Sequence, residues 1–269
     1  MIELKSISGS CLGGVVKDVS FRLPNGKTYG VFSSRYADAM CLLALMSGAR
    51  TPLCGTVLAG GFDLHREAKQ ARCGIAYLSP DLLPDEELTP IEYLMTVADV
   101  LELPYDKTIR RAHELLELAD LIGKKERLIT NLSHGEKRIL CLLQLLLGKP
   151  EFLMLTSPLS GLIPKDAQKM RELIAYLGET YTIFVCTPSS NDLAEMCDEI
   201  LILQDGTLKT TVSANDAALV TEFSAFPEEV VVETKNITKP EREKAIWKLL
   251  MQKSDEYEVL DSEEKEDEN

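Results

Sequence analysis

Apolar and polar side chains alternate through Val19-Ser20-Phe21-Arg22-Leu23, the two-residue period of a half-buried strand, and Pro24-Asn25-Gly26-Lys27 turns the chain. Residues 29–32 predict a short buried strand, and 55–61 another that closes in the turn Gly60-Gly61. A strand over 75–78 is broken by Ser79-Pro80. From 91 to 121 the apolar spacing becomes helical, with a break at Pro104, and a second long helix is predicted from about 135 to 147. The uninterrupted run Phe152-Leu153-Met154-Leu155, bounded by Pro150 and Pro158, suits a strand buried on both faces of a parallel sheet. Helix 165–177, strand 182–186, helix 192–197 and strand 199–203 follow. Strands alternating with helices predict an α/β domain with a parallel sheet. Beyond Gly206 the pattern weakens; a strand at 229–233 and a helix at 240–252 around Trp247 predict a small C-terminal appendix. No internal repeat is evident.

With 269 residues, 45% of them hydrophobic, the chain can bury one large core. The formal net charge of −14 is concentrated at the C-terminus, where residues 255–268 hold nine acidic side chains against Lys265 alone. That segment is expected to be a solvated, disordered tail, and the mildly acidic remainder excludes a nucleic-acid footprint. Seven cysteines (Cys11, Cys41, Cys54, Cys73, Cys141, Cys186, Cys197) are an odd number without paired spacing. They predict buried free thiols in a reducing compartment, not a disulfide framework or a zinc site. No signal peptide or bilayer-length apolar stretch is read, so a cytoplasmic chain is expected. His65 and His113 stand apart and form no metal spacing. Ser157 lacks the glycines of a nucleophile elbow, and Pro84-Asp85-Glu86-Glu87 reads as an exposed acidic loop.

Between the strand at 29–32 and a helix predicted over 42–47, closed by Gly48, stands Ser33-Ser34-Arg35-Tyr36-Ala37-Asp38-Ala39-Met40-Cys41. A phosphate-gripping loop of the form G-x-x-x-x-G-K-[ST] would fall there. Its glycines let successive N–H groups wrap the phosphates, its Lys meets the terminal phosphates and its hydroxyl meets Mg²⁺. In this chain Ser33 and Asp38 take the glycine positions, Ala39 the Lys position and Met40 the hydroxyl position. Three later segments fall in a telling order. They are Leu132-Ser133-His134-Gly135-Glu136, then residues 152–164 (FLMLTSPLSGLIP), then 196–203 followed by Asp205-Gly206.

Over roughly residues 1–210 this arrangement resembles the ATP-binding domain of ABC transporters. The three segments are similar to the family's LSGGQ signature, its Walker B strand with the following D-loop, and the stretch after its switch histidine. The resemblance implies a P-loop NTPase-like α/β fold, with a parallel-sheet core, antiparallel strands and a helical subdomain at about 88–130. The remainder divides into an appendix over 211–253 and the acidic tail over 254–269. Compared with the family pattern, most residues that handle ATP within one subunit are replaced. Cys11 falls at the adenine-stacking aromatic, Pro80 at the Q-loop side-chain ligand, Thr156 at the Walker B Asp, Ser157 at the catalytic Glu and Pro188 at the switch His. Tyr36 and Asp38 stand where the loop uses glycine for positive φ, which predicts strain there and a carboxylate facing the phosphates. Arg35 is read as a solvated loop residue. No nucleotide, metal or catalytic group is therefore expected in cis, because phosphoryl transfer is mostly positioning and charge neutralisation.

The signature works in trans in this family, on ATP held by the other subunit of a head-to-tail dimer. The resemblance implies that Ser133 and Gly135, flanked by His134 and Glu136, would meet Mg·ATP bound by a competent ATPase partner at a helix N-terminus. Ser133 as an N-cap with Glu136 as its capping-box partner explains the same residues without a ligand. The D-loop keeps Ser160-Gly161-Leu162, but Ile163 replaces the usual Asp. The partners implied are that ATPase and a membrane permease met by the helical region and the Pro80 loop, which would place the chain at the inner face of the membrane. Two alternatives stand beside this one: a soluble scaffold or regulator without a transporter, and an ATPase with an unusual pocket.

Overall fold

The computed structural model describes residues 1–214; the expected strand at 229–233, the helix at 240–252 and the acidic tail lie outside the described residues. Strands β1 (Ile2–Cys11) and β2 (Gly14–Leu23) form an antiparallel hairpin. Its two-residue turn holds Leu12 at φ 54 and Gly13 at φ 76, the left-handed pair that matches strand twist. β4 (Cys54–Ala59) pairs with β1, and β5 (Phe62–Asp63) returns after Gly60-Gly61, giving the order β2-β1-β4-β5. The alternation of Ile2, Leu4, Val57 and Ala59 turns one face of this sheet inward.

A second, six-stranded sheet contains β3 (Thr28–Ser33), β6 (Ile75–Leu78), β7 (Phe152–Thr156), β8 (Thr182–Cys186), β9 (Glu199–Gln204) and β10 (Thr207–Ser213). Their order is β10-β9-β3-β8-β7-β6, parallel except for β10, which is antiparallel to β9. β3, β7 and β8 are buried at every position, as their continuous apolar runs require. β10 carries the chain across position 210, where the pattern of the sequence had already weakened.

Helix α1 (Tyr36–Met46) packs between the two sheets, and Leu42, Leu43, Leu45 and Met46 share one core with Ile2, Val57, Phe152 and Phe184. α2 (Ala68–Cys73) leads into β6. A second core on the other face of the large sheet gathers α3 (Pro90–Val100), α4 (Tyr105–Leu118), α5 (His134–Leu145), α6 (Pro164–Gly178) and α7 (Ser190–Met196). Pro104, the N-cap of α4, separates α3 from α4 as its fixed φ predicts. Thus β3 delivers residues 33–35 to the start of α1, and β7 and β8 deliver 156–157 and 186–188 to the same end of the sheet.

Candidate functional site

The loop expected between β3 and α1 is almost absent. β3 runs through Ser33 and α1 begins at Tyr36, leaving two residues, Ser34 and Arg35, as the connection. The helix therefore starts six positions before the predicted Leu42, and Tyr36, Asp38, Ala39, Met40 and Cys41 are helical. Neither Tyr36 nor Asp38 has positive φ, so the expected strain does not arise. A helix accepts Tyr and Asp at no left-handed cost, whereas an open glycine loop would not. Arg35 remains exposed, as read, and its Nη2 donates to the Gly13 carbonyl at 3.1 Å.

Asp38 also departs from expectation. It is 1% exposed, and Oδ1 accepts the Val15 N–H at 2.8 Å, so its carboxylate ties α1 to the β1–β2 hairpin and not to an open cleft. The first helical turn turns residue 38 towards β2. Oδ2 has no partner among the described residues, and the same holds for the buried Oγ of Ser33. The hairpin sits so close that a Cβ on Gly14 would lie 1.9 Å from the Ala37 carbonyl oxygen.

Tyr36 reaches across the end of the sheet. Its hydroxyl shares a short hydrogen bond with Ser157 Oγ and lies 3.5 Å from the Cys186 carbonyl oxygen. Burial pushes this phenol well above its ordinary pKa. Ser157 itself adopts φ 46, a left-handed turn held by its N–H donating to Cys186 O at 2.8 Å. Thr156 is fully buried, with Oγ1 donating to the Tyr77 hydroxyl at 3.5 Å, and Cys186 is a buried thiol that desolvation pushes up to about 11. Residues 36, 156, 157 and 186 thus meet as neutral hydroxyl and thiol groups. Pro188 is exposed after β8 and offers no side-chain donor.

Sequence reasoning missed Arg138. This guanidinium is 5% exposed and donates through Nη1 to the carbonyls of Ser79 (3.0 Å) and Pro80 (3.4 Å), and through Nη2 to those of Thr156 (3.1 Å) and Ser157 (3.4 Å). One side chain of α5 therefore joins the Pro80 turn to the end of β7. The signal was available as a charge at an inward helical position beside Ile139 and Leu140, and buried charges are rarely idle.

At the start of α5 the capping box is formed in both directions. The Glu136 N–H donates to Ser133 Oγ at 3.2 Å and the Ser133 N–H donates to Glu136 Oε2 at 3.1 Å. Burial works to raise the Glu136 carboxyl, but its Lys124 partner and the Ser133 N–H outweigh this and hold it below the usual carboxylate range. Ser133 and His134 are exposed, whereas Gly135 is buried against α6. A Cβ on Gly135 would lie 2.2 Å from Asp166 Oδ2, so glycine is required there by packing inside the chain. On the neighbouring Ser160-Gly161-Leu162 turn, Gly161 has φ 72, and a Cβ there would lie 3.1 Å from His134 Nε2. The signature and the D-loop thus touch within one chain. Of the remaining histidines, His113 Nδ1 lies 2.7 Å from the Ile109 carbonyl oxygen, and His65 Nε2 has no partner among the described residues. In the acidic loop at 84–87, Pro84 is buried and Asp85, Glu86 and Glu87 are exposed, with Glu86 anchored to Lys137 Nζ at 2.6 Å. Cys54 and Cys73 are exposed thiols, unlike the buried majority expected, and no disulfide is present among the described residues. No group of three or more His, Cys, Asp or Glu side chains among them converges as metal ligands, and none of their helices is long and apolar enough to cross a membrane.

A family model described as ABC transporter matches residues 16–160. The chain therefore belongs to the ABC transporter family and carries the fold of its ATP-binding domain. Among curated relatives, it is 26% identical over 193 residues to the linearmycin resistance ATP-binding protein LnrL of Bacillus subtilis, covering 71% of this chain and 62% of that protein. It is 26% identical over 222 residues to the methionine import ATP-binding protein MetN of Protochlamydia amoebophila, covering 77% and 64%. The chain thus spans about three fifths of the length of these relatives. Solved structures agree on the fold. An ATP-binding subunit of an ABC transporter superimposes with a TM-score of 0.69 at 22% identity, covering 84% of this chain and 95% of that one. CbiO1 of Clostridium perfringens, part of the ABC transporter complex CbiONQ, gives 0.71 at 18%, covering 82% and 91%.

Proposed function

We propose that this chain is a non-catalytic ATP-binding-type subunit that pairs with a competent ABC ATPase and a membrane permease. The observation that carries this reading is Tyr36. Helix α1 begins where a phosphate loop would open, and the Tyr36 hydroxyl rests on Ser157, the position of the family's catalytic Glu. Mg·ATP does not fit this arrangement. The Lys position holds a fully buried Ala39, the Mg²⁺ positions hold Met40 and Thr156, and the only carboxylate in the segment, Asp38, is bound to the hairpin. A charge-assisted hydrogen bond contributes roughly 1.5–3 kcal/mol, so loss of the Lys and both metal ligands removes several powers of ten in affinity.

The exposed Ser133 hydroxyl at the N-terminus of a twelve-residue helix is still available to a phosphate held by another subunit. This chain would then contribute residues 133–136 to the partner's Mg·ATP, and one site per heterodimer would turn over. The permease would meet the cleft between β6 and the helical subdomain. A cavity of about 390 Å³ lies there, lined by Tyr77, Leu82, Val97, Leu101, Gln144 and Leu145, with Leu83 and Val100 exposed nearby.

Thermal unfolding with and without Mg·ATP tests the cis site. Ligand binding with a Kd of ~0.1 mM would stabilise the chain by about 1.4 kcal/mol at ~1 mM ATP. No shift is expected. A clear shift accompanied by turnover of the purified chain would overturn the proposal in favour of an ATPase with an unusual pocket.

A further inference from the structure

The thiols of Cys11 and Cys41 lie 2.8 Å apart, inside the ordinary contact distance of two sulfurs and longer than the about 2.05 Å of a bonded pair. Cys11 ends β1 beside the hairpin turn, is partly exposed, and its Sγ also lies 3.7 Å from the Cys41 carbonyl oxygen. Cys41 lies in α1 and is fully buried. The hairpin is already held on α1 at this place by the Asp38–Val15 hydrogen bond and by the close approach of Gly14 to Ala37. The two sulfurs are therefore brought together by packing that exists without any bond between them.

We propose that Cys11 and Cys41 form a dithiol–disulfide modification site, oxidised by small-molecule disulfides of the glutathione type and restored by thiols. The Cys11 thiolate attacks one sulfur of the oxidant, forming a mixed disulfide and releasing one thiolate. Cys41 then gives up its proton and attacks the Cys11 sulfur, and the second small thiol leaves. The protein loses two hydrogens and two electrons, and one small disulfide becomes two thiols. The first attack falls on Cys11 because it is the exposed partner. Burial, and then the contact with Cys11, push the Cys41 thiol up to about 12, so closure of the bond speeds up as pH rises. The bond would fasten the hairpin to the first turns of α1, on the wall of the altered nucleotide loop. The inference does not depend on the chain being catalytically silent.

Full-length protein incubated with oxidised glutathione, then alkylated, digested and weighed, tests this. A peptide linking Cys11 to Cys41, lighter by two hydrogens and lost on treatment with dithiothreitol, is expected. The exposed Cys54 and Cys73 serve as internal controls that take up glutathione and keep it. Closing a loop of this length should raise Tm by roughly 5–10 °C in the oxidised wild type, with no such rise in Cys11→Ser or Cys41→Ser. Glutathione uptake at Cys54 and Cys73 while Cys11 and Cys41 stay separately alkylatable would overturn the proposal, as would a stable glutathione adduct on Cys11. The wild-type mass measurement decides the matter even if a serine variant fails to fold.

Discussion

Tyr36 and Arg138 hold the altered site from opposite sides. Tyr36 covers Ser157 Oγ, while Arg138 gathers the carbonyls of residues 79, 80, 156 and 157 on one buried guanidinium. Tyr36→Phe leaves Ser157 Oγ without that partner but keeps the ring, so urea denaturation should show a loss of about 1 kcal/mol and no gain of ATP binding. Arg138→Met is expected to cost about 3 kcal/mol, because several carbonyls lose a charged donor together, the buried one of Thr156 among them. Lysine at 138 should recover less than half of that, since one ammonium cannot span both groups of carbonyls as the planar guanidinium does. A denaturation midpoint for Arg138→Lys equal to wild type would show that the forked geometry is not needed.

At the scale of the element, α5 begins with a capping box that explains Ser133 and Glu136 without a ligand. Ser133→Ala should therefore destabilise the chain by about 1 kcal/mol whether or not any nucleotide meets it. Ser133→Asp separates the two roles. Aspartate is an equally good N-cap, so folding is retained, but its charge opposes a phosphate. In a reconstituted heterodimer this variant should abolish turnover at the partner's site while leaving Tm nearly unchanged; unchanged turnover would remove residues 133–136 from the mechanism. The pH response follows from Glu136, whose folded pKa is depressed below its ordinary value of 4.5. Its contribution is complete above that value and is lost as pH falls through the lower folded value. The gap in stability between wild type and Glu136→Gln should accordingly close on acidification below about pH 4.5 and be constant above it. Gly135→Ala meets the Asp166 carboxylate at 2.2 Å and should destabilise the α5–α6 junction, which hydrogen exchange on those two helices would report.

For the whole molecule, the proposed function divides the two halves of an ABC site between two chains. The end of the large sheet that would bind nucleotide in cis is closed by neutral hydroxyls and a buried thiol, whereas the start of α5 presents an exposed serine on the chain's surface. Mixed with a competent ATPase subunit, the chain should raise that subunit's turnover in proportion to heterodimer formed, up to one active site per pair. Turnover that is indifferent to its addition would favour the soluble-scaffold reading.

The order of elements was legible because it rests on local periodicity. The apolar runs at 29–32, 152–155 and 182–186 predicted the buried parallel strands, Pro104 predicted the break between α3 and α4, and the spacing of 132–136, 152–164 and 196–206 predicted the family. β1 was not read, since its alternation is interrupted by Ser6 in the left-handed region and by two register shifts. The site was legible only as a set of replacements. That residues 36–41 wind into α1, that Asp38 turns to the hairpin, that Tyr36 lands on Ser157 and that Arg138 gathers two distant turns depend on contacts across 18 to 121 positions of sequence. The sequence by itself determined where a motif side chain differs from the family's, because side-chain identity at a motif position is a local fact. Only the tertiary structure decided what stands in its place, because a buried hydroxyl, carboxylate or guanidinium takes whichever partners folding brings within hydrogen-bond reach.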